Sequence, residues 1–133
     1  MSIKLLAMSA AGLVCGVALA QGLPEVKVEA TRVIASPISA KTIGRTSSGV
    51  PIRDITLSYG VSSEGLDLST QTGALALENR VKEAAEQACA EIGRQHPDAT
   101  PSDAACARAA VDKAMVQVHA VVAAAEKIRT ATK

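Results

Sequence analysis

This chain of 133 residues has one tyrosine, Tyr59, and no phenylalanine or tryptophan, so its core has to be closed with Ala, Val, Leu and Ile. Small aliphatic side chains each remove little area from water, so the layers they join must approach closely. The same lack of aromatics removes any platform on which bases or sugars could stack. Charge points the same way. Fourteen basic against thirteen acidic residues give a net charge of +1, which sets up no field to steer the protein onto nucleic acid or anionic lipid. Nucleic-acid binding is therefore disfavoured on two counts.

The first twenty residues read as a secretory signal peptide. Lys4 supplies the positive charge, Leu5 to Ala18 form an apolar run, and Ala18-Leu19-Ala20 is a small-x-small cleavage signal. The run is too short and wrongly flanked for a spanning helix. Cleavage after Ala20 removes Cys15, leaves two thiols, Cys89 and Cys106, and brings the charge of residues 21–133 to zero. Gly12-Leu13-Val14 before Cys15 does not fit a lipoprotein cleavage box, so Cys15 reads as a small hydrophobe. The expected product is an exported, periplasmic or secreted, single domain over 21–133 with no membrane attachment.

Val26, Val28 and Ala30 alternate with charged residues, which predicts a half-buried strand near 26–34. Residues 35–49, rich in Ser, Thr, Gly and Lys, read as a loop. A second strand is predicted near 50–61, its apolar face built from Ile55, Leu57, Tyr59 and Val61. Ser69 or Thr70 then caps a helix near 70–93, with a stripe of Leu77, Val81, Ala84, Ala88 and Ile92. Gly93 and Pro97 read as its stop signals. Thr100-Pro101-Ser102-Asp103 places a capping hydroxyl, a first-turn proline and an acid at the head of a helix near 101–129. Its stripe is Val111, Met115, Val118, Val122 and Ala125, extended by Ile128. The predicted fold is α+β: a short antiparallel sheet packed on an antiparallel two-helix hairpin. In such a hairpin Cys89 and Cys106 face each other across the turn, so a structural disulfide is favoured over a redox couple or half a metal site. No Cys-x-x-Cys is present.

Catalytic, cofactor and metal residues are not expected. His96 and His119 have no sequence-near partner at ligand spacing, and no serine is singled out as a nucleophile. Gly44-Arg45-Thr46-Ser47-Ser48-Gly49 has glycines at phosphate-loop spacing, but Val50-Pro51 replaces the lysine and hydroxyl that should follow. Glu83, Glu86 and Glu91 are surface carboxylates that offer at most a weak hard-cation site.

The ordered set of motifs resembles the UrcA family of small exported bacterial proteins. The resemblance is carried by Val28-Glu29-Ala30-Thr31-Arg32, Gly44 to Ile52, Leu66-Asp67-Leu68-Ser69-Thr70, Gly73-Ala74, Arg80-Val81, Ala84-Ala85 with Cys89, and Cys106 followed by Ala110 to Ala120. The stretch Tyr59 to Gly65 departs from the family pattern. The resemblance implies an exported, cystine-bearing α+β domain with no established reaction, and an association with metal stress. Two functions are carried forward from the sequence. The first is a non-enzymatic envelope protein that binds another protein, or itself, through an unpaired sheet edge. The alternative is a periplasmic metal-ion or small-ligand binder using Glu83, Glu86 and Glu91.

Overall fold

A computed structural model describes residues 23–35 and 42–133, so the signal segment and Cys15 lie outside the described residues. Three strands, β1 (Glu25–Ala35), β2 (Gly44–Arg45) and β3 (Pro51–Ser62), precede two helices, α1 (Gln71–Gln95) and α2 (Asp103–Ala131). The sheet order is β1-β3-β2 with both pairings antiparallel. β1 and β2 thus run parallel on either side of β3. The α+β fold and its helical hairpin are as the sequence predicts. The short strand β2 lies inside the stretch expected to be loop.

Period-two alternation sets the inner face of the sheet. Val26, Val28 and Ala30 are fully buried against the helices, and the register places Val61, Tyr59 and Leu57 opposite them. Leu77, Val81, Ala85 and Ala88 of α1 and Ala110, Ala114 and Val118 of α2 complete the core. Two expectations shift here. On α1, Ala85 is buried and Ala84 only partly so. On α2 the buried stripe is Cys106, Ala107, Ala110, Ala114 and Val118, while Val111, Met115, Val122 and Ala125 pack partly buried along its flank and Ile128 is exposed. The larger valines suggest a core stripe by hydrophobicity alone. The close approach of helix to sheet instead admits alanine at the contact and turns the larger residues aside.

Helix ends also differ in detail. Thr70 caps α1 by accepting from the Gly73 N–H, one of the two residues anticipated. α2 begins at Asp103, capped by the Ser102 hydroxyl rather than by Thr100. Thr100 is otherwise engaged: its backbone N–H and carbonyl exchange hydrogen bonds with Val33 at 2.9 and 2.7 Å. Gly93 does not stop α1, which continues to Gln95 with His96 as its C-cap. Its lack of a side chain has another use. A Cβ there would sit 2.5 Å from the Asp103 Oδ1 and 2.8 Å from the Arg32 Nη1.

Among the described residues Arg32 is the one buried charged residue, on the inner face of β1 between Ala30 and Ile34. Its guanidinium donates to the carbonyls of Cys89 and Ala99 and to the Asp103 carboxylate. One side chain thereby ties β1 to α1, to the interhelical turn and to the head of α2. Beside it Cys89 and Cys106 form a disulfide, with Cα atoms 5.9 Å apart and a sequence separation of 17. Both cysteines are buried, which fits a staple rather than an exchanging thiol pair.

Two stability tests follow from this arrangement. Arg32→Met should lose about 2–4 kcal/mol in urea unfolding, because it strands two buried carbonyls, whereas Asp103→Asn, at an exposed carboxylate, should lose about 1 kcal/mol. Replacing both cysteines by alanine should cost about 3 kcal/mol by the loop-entropy relation, read as a lower denaturation midpoint at unchanged fold. Equal midpoints for wild type and the double variant under oxidising conditions would remove the structural role of the bridge.

Candidate functional site

The two edges of the sheet are treated differently. Along β1 the outward backbone groups of Lys27 and Val33 have partners. The Gln117 side chain of α2 accepts from the Lys27 N–H and donates to the Lys27 carbonyl, both at 3.0 Å, so a single amide stands in for a neighbouring strand. Further along, Thr100 pairs with Val33. Between these, Glu29 is held by Lys113 of α2 at 2.5 Å and by Lys27 at 2.7 Å.

Along β3 the arrangement is open. Alternate residues of an antiparallel strand direct their N–H and C=O groups to the same side. Ile52 uses its outward carbonyl to accept from the Ile43 N–H beside β2, and Ser62 uses its own to accept from Arg80 at 2.8 Å. The residues between them that share this outward direction are Asp54, Thr56, Ser58 and Gly60. Among the described residues no strand pairs with them on that side.

The inner face repeats the asymmetry. Val26, Val28 and Ala30 of β1 are fully buried, but Ile55 and Leu57 of β3 are only partly covered and Tyr59 is 38% exposed. The helical layer is therefore offset towards β1. A shallow hollow of about 450 Å³ lies beside Tyr59, lined by Glu86, Gln87, Ala90 and Arg94 of α1. The chemistry on offer is an unpaired hydrogen-bonding ladder flanked by a half-exposed apolar strip. A sheet edge is normally blunted by Lys, Pro or a bulge. Residues 54–60 contain neither Lys nor Pro, and Asp54 is their one charge.

The remaining sequence candidates lie apart from this edge or are already engaged. Cys89 and Cys106 are joined to each other. His96 caps α1 through its backbone, and His119 is exposed on α2. Of Gly44 to Gly49, the first two residues are β2 and the rest form the turn to β3, where the Gly49 N–H donates to the Thr46 carbonyl. Glu91 accepts from Arg94 and Gln95, which lower its pKa, Gln95 having the larger effect. Glu83 and Glu86 are exposed on α1. Among the described residues no three His, Cys, Asp or Glu side chains are grouped to hold a metal ion, and no helix is long and apolar enough to cross a membrane. A hollow of about 610 Å³ between α1 and α2 has a floor of Ala90, Ala104, Ala107 and Val111 and a rim of both charge signs.

Sequence reasoning expects an unpaired sheet edge but does not say which strand carries it, and it misses the contacts of Gln117 and Thr100 with β1. Arg32 and Gln117 carry no local signal for their roles, since each acts on a partner far along the chain. The period-two pattern does place Arg32 on the apolar face of β1, and that conflict is the one sign available.

The closed edge has an electrostatic signature. Hydrogen bonds from Lys113 and then Lys27 hold the Glu29 carboxyl down to about 2, from an ordinary 4.5. A depressed folded-state pKa contributes stability that is present above the unfolded value and lost as pH falls towards 2. Glu29→Gln should accordingly flatten the loss of stability between about pH 4.5 and 2. Equal acid limbs for variant and wild type would mean that the contact does not form in solution. Comparison of the chain with protein-family models, with curated proteins and with solved structures finds no match.

Proposed function

We propose that this chain is an exported, non-enzymatic envelope protein, similar to the UrcA family, that binds another polypeptide by strand addition at the edge of β3. The observation that carries this reading is the contrast between the two edges of one small sheet. The β1 edge is engaged at Lys27 by Gln117 and at Val33 by Thr100, whereas Asp54, Thr56, Ser58 and Gly60 have no strand beside them among the described residues. An added strand would satisfy those backbone groups and cover Ile55, Leu57 and Tyr59, gaining affinity from main-chain hydrogen bonds and selectivity from alternate side chains. The buried disulfide supports export to an oxidising compartment.

A photo-activatable residue in place of Ser58, which is exposed on β3, tests this in the intact cell envelope. The expected result is a covalent adduct to a second polypeptide that disappears when Thr56→Lys is added. Absence of an adduct, or an adduct indifferent to Thr56→Lys, would overturn the reading.

A further inference from the structure

We infer that the exported chain carries a pyroglutamate at Gln21, formed when the amino terminus freed by leader removal cyclises. The inference rests on the export reading and adds to it a covalent modification and the residue that bears it. Gln21 lies outside the described residues, which begin two positions later at Leu23.

The Ala18-Leu19-Ala20 signal ends immediately before Gln21, so cleavage there gives a glutamine a free α-amine. That nitrogen attacks Cδ of its own side chain. An N–Cδ bond forms, the Cδ–Nε2 bond breaks, and ammonia leaves with a proton taken from the attacking amine. A lactam remains, and no oxidant or co-reactant is consumed. An α-amine titrates at about 8, well below a lysine, so a sizeable fraction is neutral and nucleophilic at neutral pH. Amine and amide belong to one residue, so no translational freedom is lost in bringing them together. Gly22 adds no side chain to hinder the closure.

The fold gives the lactam a use. The chain is fixed at Pro24, whose carbonyl accepts from the Ser63 N–H at 3.3 Å and from the Ser63 hydroxyl at 2.7 Å, and Ser63 is buried. Leu23, just before it, is 61% exposed. Leu23 and Pro24 line a hollow of about 320 Å³ together with Leu66, Val121 and Ile128. Asp67 is the charged side chain of that lining, and its Oδ1 is already taken by the Ser69 N–H and hydroxyl. An unblocked terminus is open to aminopeptidases, which stop before an X-Pro bond and would leave Leu23 at the end of the chain. Trimming would thus set an ammonium on the rim of a largely apolar hollow, where charge is poorly accommodated. The lactam removes the amine and leaves Gln21 and Gly22 between the hollow and the end of the chain.

The test is tandem mass spectrometry of the amino-terminal peptide, for wild type and Gln21→Ala purified from their own cell envelope and quenched in acid at once. In wild type the expected peptide begins at residue 21, is lighter by one ammonia and takes no amine-reactive label. In Gln21→Ala the same peptide carries a free, labelled amine. Treatment of the folded proteins with an aminopeptidase should then shorten the variant to Leu23 and leave the wild type whole. A wild-type peptide that begins at Gln21 with a free amine overturns the inference and leaves export standing. A variant that keeps its full terminus under the peptidase overturns the protective role of the lactam. A wild-type chain that begins elsewhere, or that keeps its leader, overturns the cleavage reading beneath the inference.

Discussion

The guanidinium of Arg32 holds the three parts of this fold to one another. It lies on a strand face that is otherwise aliphatic, and its partners come from α1, from the turn after it and from the first residue of α2. Burial of a lone cation would be prohibitive, and here two carbonyls and one carboxylate take up its Nη groups while a Cβ at position 93 would crowd both Arg32 and Asp103. The disulfide joins helix to helix, but Arg32 joins the helices to the sheet. With no phenylalanine or tryptophan to anchor the layers, this polar clamp supplies a fixed point that packing of small side chains does not.

That clamp also helps set the asymmetry of the molecule. Arg32 and the Thr100–Val33 exchange draw the head of α2 onto β1, and Gln117 continues the attachment further along α2. A helical layer anchored along one edge strand does not extend over the other. The partial exposure of Ile55, Leu57 and Tyr59 is thus the other side of the closure of β1, and the candidate site is a by-product of how the core is pinned.

Much of the architecture is legible in residue patterns, because it depends on local periodicity. Val26, Val28 and Ala30 declare a strand, Leu77, Val81, Ala88 and Ile92 a helix, and Cys89 with Cys106 a staple. The parts that were not legible depend on distant partners. Thr100 resembles a helix cap until Val33 takes its backbone, and Gly93 resembles a stop until Arg32 and Asp103 need the space. The stripe of α2 misleads for a related reason: hydrophobicity favours Val111 and Met115, whereas packing distance favours Ala107, Ala110 and Ala114. The open edge is partly legible, since a predicted two-stranded sheet must leave strands unpaired, but which edge stays open is settled by Gln117 and Thr100.

Tyr59 carries a consequence of a different kind. It is the only residue of the chain with useful intrinsic fluorescence, and it stands on the half-covered strip of β3 beside the open edge. The emission of the whole molecule therefore originates at one place on its surface. Its intensity and anisotropy register solvent and neighbours at that strip, without an extrinsic label and without background from a buried chromophore. The shortage of aromatic residues that forces a closely packed aliphatic core thus leaves the protein with a single optical probe at its candidate site.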